Sequence, residues 1–286
     1  MPELPEVETV VRQLRPHLVG RTVTGAQVLW ARTIARPSVR SFREQLVGRR
    51  FTELTRRAKY IVATLDDGRL LVGHLRMTGR FFVRAAAGQP EAGEPDGKFI
   101  RVALALDGGR ELVFSDVRKF GRIALVSALE DATPELGPEP LSAEMDAAWL
   151  AGALAGRRRQ LKPLLLDQSF LAGLGNIYVD ESLHRAGLHP LQSSERVSRA
   201  GAGLLAEAIR EVLTAAIEAE GSSFDTFYRT PEGQPGAFQD EFAVYGRGGL
   251  PCRACGTPIR RIVVGQRGTH FCPRCQPAPR RRRGRP

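Results

Sequence analysis

Cys252-Arg-Ala-Cys255 and Cys272-Pro-Arg-Cys275 are separated by sixteen residues and contain all four cysteines of the 286-residue chain. A CxxC turn aims two sulfurs at one metal, and two such turns at this separation are typical of a tetrahedral zinc site. Four thiolates leave no open coordination position, so the spacing predicts one structural zinc ion on a β-hairpin. The alternatives are two disulfides or four unrelated thiols, but nothing in the sequence suggests export to an oxidising compartment.

The residues around the four cysteines are basic, as is the whole chain, which has a formal charge of +11 and a pI of about 10.3. Such a balance favours a polyanionic partner, first nucleic acid and second an anionic membrane surface. Residues 277–286 are predicted to be a basic disordered tail, which could add nonspecific affinity for phosphates. The arginines of the cysteine region are Arg253, Arg260, Arg261, Arg267 and Arg274.

The length and the apolar fraction of 42% are sufficient for about two domains with a sizeable core. No apolar run reaches the ~18 residues that a membrane span requires. The N-terminus is acidic and contains prolines, which does not fit a secretory signal. The sequence therefore predicts a cytoplasmic protein without a membrane partner.

Helical spacing of apolar residues predicts a helix over residues 4–18. Short β-rich runs separated by turn signals follow as far as residue 126, which favours a β-sandwich over alternating βαβ units. Residues 1–133 are thus predicted to be one domain, and the polar Gly/Pro segment 86–97 a loop within it. The predicted strands are Val23–Trp30, Phe51–Leu54, Tyr60–Leu65, Leu70–Leu75, Phe81–Arg84, Ile100–Leu106, Glu111–Ser115 and Ile123–Val126.

A proline-rich linker is predicted at residues 134–141, and the composition after it becomes helical. Residues 142–238 form the predicted helical domain, and residues 239–276 the zinc finger. The predicted fold class is α+β and multidomain. It combines an N-terminal β-sandwich with flanking helices, a helical domain and a four-cysteine hairpin. The predicted helices are 142–155, 160–167, 176–186 and 196–220.

The N-terminal residues suggest amine chemistry. Removal of Met1, which a small second residue permits, would expose the secondary amine of Pro2. An α-amino group has an ordinary pKa near 8 against about 10.4 for lysine, so more of it is neutral and nucleophilic at pH 7. Such an amine can attack an aldehyde-like carbon, and Glu3 could transfer protons beside it. The alternative is that these residues have no catalytic role, because many proteins begin with Met-Pro and acidic residues in the first turn of a helix are ordinary capping chemistry.

Several motifs, in one order from Pro2 to Gln276, resemble those of the formamidopyrimidine-DNA glycosylases, which excise oxidised purines such as 8-oxoguanine. The resemblance implies a bifunctional glycosylase and AP lyase acting as a monomer on damaged double-stranded DNA. It also implies a helix-two-turn-helix element in the helical domain. The motifs are Pro2-Glu-Leu-Pro-Glu-Val-Glu-Thr-Val10, Arg56-Arg-Ala-Lys-Tyr60, His74-Leu-Arg-Met-Thr-Gly79, Asp116-Val-Arg-Lys-Phe-Gly121, Leu171-Ala-Gly-Leu-Gly-Asn-Ile-Tyr178, Val244-Tyr-Gly-Arg247 and Gln266-Arg-Gly-Thr-His-Phe-Cys-Pro-Arg-Cys-Gln276.

The resemblance also implies the catalytic residues. Pro2 is the Schiff-base nucleophile at C1′ of the damaged nucleotide, and Glu3 is the general acid/base at the sugar. Lys59 is a proton donor in the β-elimination, although without the family it reads as a surface lysine at a strand edge. Arg267 in the zinc hairpin serves the δ-elimination and binds the phosphate beside the lesion, a task that suits its planar fork.

Base removal from a duplex requires extrusion of the nucleotide, and some side chain must then fill the vacated stack. Met77, Arg118 and Phe120 match the family's three void-filling residues, with Arg118 placed to pair with the orphaned cytosine. An apolar wedge between bases is physically reasonable for Met77 and Phe120. Ordinary core packing is the alternative for both. The segment Phe224–Phe238 is implied to form a loop over the flipped base.

Four further residues are implied to contact DNA. Asn176 begins a helix after a glycine-rich turn, where the helix N-terminus can bind a phosphate. Arg157 and Lys162 fall where the family places backbone contacts. The family commonly has Asp-Pro-Arg-Arg-Phe-Gly where this chain has Val117 and Lys119, and histidines precede the next strand in many members. Arg101 is expected to take over a DNA contact from those histidines.

Two alternatives remain open from the sequence. An endonuclease VIII-like enzyme for oxidised pyrimidines would share Pro2, Glu3 and the zinc finger. The opening motif and the void-filling set favour the purine enzyme. A noncatalytic zinc-containing DNA-binding protein would fit the composition, charge and cysteines equally well, but the intact Pro2, Glu3 and Lys59 argue against it.

Overall fold

The computed structural model describes residues 1–86, 97–224 and 228–278. Residues 87–96 of the expected 86–97 loop, residues 225–227 of the Phe224–Phe238 segment and residues 279–286 of the expected 277–286 tail therefore lie outside the described residues. The chain divides into two compact units. The first contains residues 1–135 and 216–239, and the second contains residues 136–215 and 240–286.

Two sheets form the centre of the first unit. One has four antiparallel strands in the order β1-β7-β8-β6, and the other has five in the order β2-β9-β5-β4-β3. Buried side chains of both sheets form one apolar core. The strands are β1 Val23–Val28, β2 Ile34–Arg36, β3 Phe51–Arg57, β4 Tyr60–Leu65, β5 Leu70–His74, β6 Gly79–Ala85, β7 Ile100–Leu106, β8 Arg110–Asp116 and β9 Arg122–Val126.

Helix α1 runs from Leu4 to Leu18 and packs on β3. The helix forms where the sequence predicts it, because its apolar positions recur on one face and are buried. At its start, Oε2 of Glu6 accepts a 2.8 Å hydrogen bond from the backbone N–H of Glu3. The N-terminal residues are thereby held on the first turn of a rigid element.

The sequence missed two short elements of this unit. Strand β2 has three residues and pairs with β9 in parallel, which is too short a run for alternation to reveal. Helix α2, Val39–Leu46, has Ser38 as its N-cap and buries only Phe42 and Leu46. All eight predicted strands are present. Two of them match the predicted bounds, and the other six differ by one to three residues at one or both ends.

The second unit contains helices α3 Ala147–Ala155, α4 Leu161–Leu165 and α5 Asn176–Arg185, and α6, Arg199–Glu218, begins in it. Helix α3 starts five residues later than predicted because the carboxylate of Asp146 accepts the backbone N–H of Trp149 and caps the helix there. Strands β10, Arg260–Val264, and β11, Arg267–Phe271, form the hairpin between the cysteine pairs.

The fold class predicted from the sequence is confirmed: β-sheets in the N-terminal part, helices after the linker, and a C-terminal hairpin with four clustered cysteines. Residues 216–239 group with the first unit, whereas the predicted helical domain extends to residue 238. Within the described part of the chain, no helix is long and apolar enough to cross a membrane.

Candidate active site and metal centre

Met1 is 41% exposed, whereas the two residues after it are buried, and Glu3 is held by a carboxylate from α1. Pro2 is buried and Glu3 is 4% exposed. While Oε2 of Glu6 accepts the N–H of Glu3, its Oε1 accepts the backbone N–H of Ser222 at 2.8 Å. Glu6 therefore joins the predicted acid/base Glu3 to Ser222, which lies two residues before the segment expected to cover the flipped base. The spacing of Glu3 and Glu6 is that of a capping box, a signal that could have identified Glu6.

Lys59 lies in the two-residue turn between β3 and β4 and is 6% exposed. Its neighbour Ala58 has φ of +52°, a left-handed conformation that is uncommon for a residue with a side chain. The guanidinium of Arg56 donates to the carbonyl of Ala58 at 3.0 Å and to the carboxylate of Glu8 at 3.1 Å. The turn is thus tied to α1, and the reading of Lys59 as an exposed strand-edge lysine does not fit its burial.

His74 packs against the ring of Tyr60 opposite it on β4, with ring centroids 4.7 Å apart. Burial, together with the nearby charges of Arg76 and Lys59, lowers the pKa of His74 to about 3. Its neutral Nδ1 accepts the backbone N–H of Arg76 at 2.9 Å. His74 therefore fixes the backbone just before Met77 without carrying charge at neutral pH.

The three predicted void-filling residues lie together on two neighbouring loops. A guanidinium nitrogen of Arg118 lies 3.1 Å from Sδ of Met77, and its Cζ lies 4.9 Å from the ring centroid of Phe120. Arg118 is exposed and Phe120 is 48% exposed. A core phenylalanine would not be half exposed, so burial does not explain Phe120. We call Met77, Arg118 and Phe120 the wedge cluster.

The carboxylate of Asp116 holds the two loops of the wedge cluster together by hydrogen bonds. Its Oδ1 accepts from the hydroxyl of Thr78 and the backbone N–H of Arg118, and its Oδ2 accepts the N–H of Gly121 at 2.7 Å. Any Cβ at Gly121 would overlap the ring of Phe114, so only glycine permits this close approach. The motif Asp116–Gly121 thus encodes a rigid loop.

Met1, Arg76, Met77, Phe120 and Arg122 line a cavity of about 370 Å³. The N-terminus and two members of the wedge cluster therefore face one space. A flipped nucleotide and the gap it leaves in the stack require that same juxtaposition.

Arg101 has a different environment from the one expected. It is 7% exposed, its Nε donates to the carbonyl of Asp116 at 2.8 Å, and a second nitrogen donates to the carbonyl of Lys98 at 2.9 Å. These bonds hold the end of β8, where the wedge loop begins. The geometry favours a structural role for Arg101 over a direct DNA contact.

The four cysteines form the metal centre. Their sulfurs lie within 4.8 Å of one another, and none is paired in a disulfide. The Cys252–Cys275 and Cys255–Cys272 sulfurs are 3.9 Å and 3.4 Å apart. A tetrahedral site with zinc–sulfur bonds of about 2.3 Å requires about 3.8 Å. The predicted zinc site is thereby confirmed, with four cysteine ligands for one ion.

Arg267 is exposed and begins β11, directly after the two-residue tip of the zinc hairpin. The carbonyl of the next residue, Gly268, accepts from Nζ of Lys162 at 2.9 Å and from Nδ2 of Asn176 at 3.1 Å. Helices α4 and α5 therefore fix the backbone that carries Arg267. Arg157 is exposed, and its guanidinium lies over the ring of Phe170.

Lys162 is wholly buried, so its placement differs from that of a phosphate-binding surface lysine. Its Nζ lies 2.7 Å from Oδ1 of Asp180, which is also buried, and Oδ2 of Asp180 accepts the backbone N–H of His270 at 2.8 Å. On the same helix, the carboxylate of Glu181 accepts three consecutive backbone N–H groups, those of residues 243–245. Sequence reasoning missed Asp180 and Glu181.

The comparisons with known proteins cover both units. Residues 1–123 match the family profile of the formamidopyrimidine-DNA glycosylase N-terminal domain, and residues 136–228 match the formamidopyrimidine-DNA glycosylase H2TH domain. Residues 249–278 match the zinc finger found in FPG and IleRS. Here H2TH denotes the helix-two-turn-helix element.

Similar proteins match over nearly the whole chain. The formamidopyrimidine-DNA glycosylase of Symbiobacterium thermophilum is 45% identical over 98% of this chain and 90% of its own length. The crystal structure of the MutM (FPG) protein of Thermus thermophilus is 44% identical, with a TM-score of 0.84 over 96% of this chain and 98% of that one. The Lactococcus lactis FPG (MutM) in complex with a FAPY-dG containing DNA is 34% identical, with a TM-score of 0.86 over 96% of this chain and 100% of that one.

The fold, the four-cysteine hairpin and these matches together define a DNA repair glycosylase. The chain belongs to the formamidopyrimidine-DNA glycosylase family, whose members combine DNA glycosylase and AP lyase activities. The protein is therefore a DNA-binding repair enzyme, and the noncatalytic alternative is set aside.

Proposed function

We propose that the protein excises oxidised purines, 8-oxoguanine and formamidopyrimidines, from double-stranded DNA and then cleaves the strand by β- and δ-elimination. The observation that carries this proposal is the cavity that Met1 shares with Met77 and Phe120. Loss of Met1 would leave the amine of Pro2 beside the residues that fill the vacated stack. The nucleophile and the wedge would then act on the same nucleotide.

In the first step, the nitrogen of Pro2 attacks C1′ of the damaged nucleotide. The bond from C1′ to the base breaks, and the base leaves with the electron pair and takes up a proton. Glu3 protonates O4′ as the C1′–O4′ bond breaks, which leaves an iminium between Pro2 and the open sugar. Burial and the Glu6 hydrogen bond to its N–H restrict where Glu3 can place its carboxyl group.

Elimination follows from the iminium, because it acidifies the proton on C2′. Loss of that proton breaks the C3′–O bond, and Lys59 gives a proton to the departing phosphate. Loss of a C4′ proton then breaks the C5′–O bond, with Arg267 binding that phosphate. Water releases the sugar remnant from Pro2, and the gap is flanked by two phosphates.

We assign DNA contacts on the second unit to Arg157, Asn176 and Arg267. Arg157 and Arg267 are exposed, and Asn176 opens α5, where the helix N-terminus is favourable to phosphate. Lys162 and Arg101 are buried and bonded to protein groups, so we propose that both position other residues. The zinc ion holds the hairpin that carries Arg267 and takes no part in the chemistry.

Borohydride trapping tests the proposal. Duplexes with 8-oxoguanine or with an oxidised pyrimidine are incubated with enzyme and borohydride, and the adduct is located by mass spectrometry of proteolytic peptides. We expect an adduct on the purine duplex at the N-terminal peptide, and none in Pro2→Gln, because the larger second residue blocks removal of Met1 and leaves no amine at position 2. Trapping only on the pyrimidine duplex would support the endonuclease VIII-like alternative, and an adduct elsewhere would reject Pro2.

We further propose that the enzyme acts as a monomer in the cytoplasm. The first unit and the zinc hairpin supply all the catalytic groups named above, so the scheme needs no second copy. Sedimentation of the free enzyme and of its complex with a lesion duplex tests this, and a 2:1 protein–DNA stoichiometry at catalytic concentrations would contradict it.

A further inference from the structure

We propose that Arg56 is a positioning residue for Lys59, and that Glu8 on α1 holds Arg56 in place. The proposal rests on the role given to Lys59 under the proposed function. No contact of Arg56 with DNA is involved. Arg56 would act through the backbone of the turn that carries Lys59. The experiment below distinguishes a failure of this positioning role from a failure of the proposed function.

The turn needs an external support. Strand β3 ends at Arg57 and β4 begins at Tyr60, so only Ala58 and Lys59 connect them. Ala58 has φ of +52°, which a residue with a Cβ keeps only when its surroundings enforce it. The guanidinium of Arg56 donates to the Ala58 carbonyl at 3.0 Å, on the peptide that leads into Lys59. This bond therefore fixes the orientation of that peptide.

The same guanidinium is fixed on its other side. Its Nε donates to Oε2 of Glu8 at 3.1 Å, and the Arg56 side chain is only 9% exposed. A planar fork can satisfy a carboxylate and a carbonyl at once, which the single ammonium of lysine does poorly. Arg56 thus bridges α1 and the turn with two directional bonds.

Glu8 is ionised in this arrangement. Burial raises its pKa, but hydrogen bonds and charge from Arg12 and Arg56 lower it more, so the pKa of Glu8 lies below its ordinary value. Arg12 binds the other oxygen, Oε1, at 2.8 Å and is 57% exposed. Arg12 therefore shares the carboxylate with Arg56, and no hydrogen bond from Arg12 to the turn is seen among the described residues.

Helix α1 then positions two parts of the proposed site, the N-terminal residues and the turn that carries Lys59. One turn of it carries Glu6, which holds the N–H of Glu3, and the next carries Glu8, which holds Arg56. A proton donor acts efficiently only within hydrogen-bond reach of its acceptor. A misplacement of about 1 Å can lower a rate by orders of magnitude. Loss of Arg56 should therefore impair the step that uses Lys59 and spare the attack by Pro2.

The experiment uses the full-length enzyme and a duplex with one abasic site, under single-turnover conditions. Two rates are measured, namely the formation of the borohydride-trappable adduct and strand cleavage by β-elimination. We expect Arg56→Met to lower the cleavage rate at least about tenfold while adduct formation changes less than about threefold. Arg12→Met is the matched control, because it removes the other arginine of Glu8 and should leave both rates within about twofold.

A double-mutant cycle with Lys59→Met separates positioning from general damage. In the Lys59→Met background, Arg56→Met should have no further effect on cleavage. Additive losses, or equal losses in Arg12→Met and Arg56→Met, would overturn the proposal. If Arg56→Met fails to fold, Glu8→Gln serves instead, with the same selective loss of cleavage expected. A wild-type enzyme that forms no trappable adduct would reject the proposed function. If the wild type is trapped normally and Arg56→Met has the wild-type ratio of cleavage rate to adduct-formation rate, only the positioning role of Arg56 is rejected.

Discussion

The hydroxyl of Thr78 donates a 2.5 Å hydrogen bond to Oδ1 of Asp116. Thr78 directly follows Met77, and Asp116 lies two residues before Arg118, whose backbone N–H donates to both groups. The loops that carry the wedge cluster are therefore one hydrogen-bonded unit. Both loops would contact the bases when the wedge cluster inserts into a base stack. We therefore expect the Thr78–Asp116 hydrogen bond to determine how well the wedge cluster keeps its conformation during insertion.

Asp116→Asn should weaken the wedge. The carboxylate accepts three hydrogen bonds from protein groups, and an amide nitrogen in place of one oxygen leaves at least one of these donors unpaired. An unpaired buried donor costs about 1–3 kcal/mol. We expect single-turnover excision from an 8-oxoguanine duplex to slow about tenfold or more, because each ~1.4 kcal/mol is a factor of ten. Cleavage of a single-stranded abasic substrate, which needs no wedge, should stay near the wild-type rate.

Thr78→Ser is the control for that experiment, because it keeps the hydroxyl and removes only a methyl group. Its excision rate should remain within about threefold of wild type. An Asp116→Asn enzyme with equal losses on duplex and single-stranded substrates would show that Asp116 acts on the chemistry and not on the wedge.

The lowered pKa of His74 predicts that the stability of the folded protein depends on pH. Its pKa is about 3 in the folded protein against an ordinary value of 6.5. The unfolded chain therefore binds more protons between pH 3 and 6.5, and stability falls as the pH drops through this window. From pH 7 to pH 5 the loss from this residue alone is about 2 kcal/mol. Denaturant unfolding of a Trp149→Phe background, in which Trp30 reports on the first unit, measures it.

His74→Asn provides the reference for this measurement. The amide oxygen can still accept the N–H of Arg76, but the residue cannot titrate. The wild-type protein should lose about 2 kcal/mol more than His74→Asn between pH 7 and pH 5. Parallel pH profiles for the two proteins would mean that His74 is protonated without penalty, contrary to its burial.

Zinc removal should act on the second unit only. The apolar cluster of the hairpin region is small and includes Cys252 and Cys272 themselves, so the metal supplies most of its stability. Chelation or Cys272→Ser should abolish DNA binding and strand cleavage, while the sandwich, with its own core, keeps its circular dichroism signal. Restoring zinc to the chelated wild type should restore cleavage. Full activity of the zinc-free enzyme would refute the role given to the hairpin.

Much of this fold could be predicted from local patterns. The two CxxC turns gave the metal centre, because their chemistry depends only on spacing. Helix α1 and the strands followed from the helical and alternating periods of their buried faces. Strand β2 could not be found this way, because three residues carry no period and its pairing with β9 is fixed by tertiary packing.

The environment of the site residues is harder to predict. Sequence gives the charge of a lysine or arginine but not its burial, and Lys162 and Arg101 were both expected to contact DNA. The structure gives each of them buried protein partners, Asp180 for Lys162 and a backbone carbonyl for Arg101. The roles of Glu6 and Asp116 also required coordinates, because their partners Ser222 and Thr78 are 216 and 38 residues away in sequence.

Lys162 and Arg157 should differ sharply when replaced, although both were expected to contact the DNA backbone. Lys162→Met leaves the carboxylate of Asp180 buried without its cation, and breaking such a pair costs about 3–5 kcal/mol. Arg157→Ala removes an exposed side chain and should change stability by less than about 0.5 kcal/mol. Unfolding of a Trp30→Phe background, in which Trp149 reports on the second unit, measures both.

The salt dependence of DNA binding completes this comparison. Removal of one direct phosphate contact reduces the slope of log K against log[salt] by about 1, so Arg157→Ala should show this reduction. Lys162→Met should weaken binding mainly by destabilising the hairpin, with an unchanged slope under conditions where the unit is folded. Adding Asp180→Asn to Lys162→Met should recover stability, because it removes the unpaired charge. If Lys162→Met instead keeps wild-type stability and loses about one unit of slope, Lys162 contacts phosphate directly and the positioning role assigned to it is wrong.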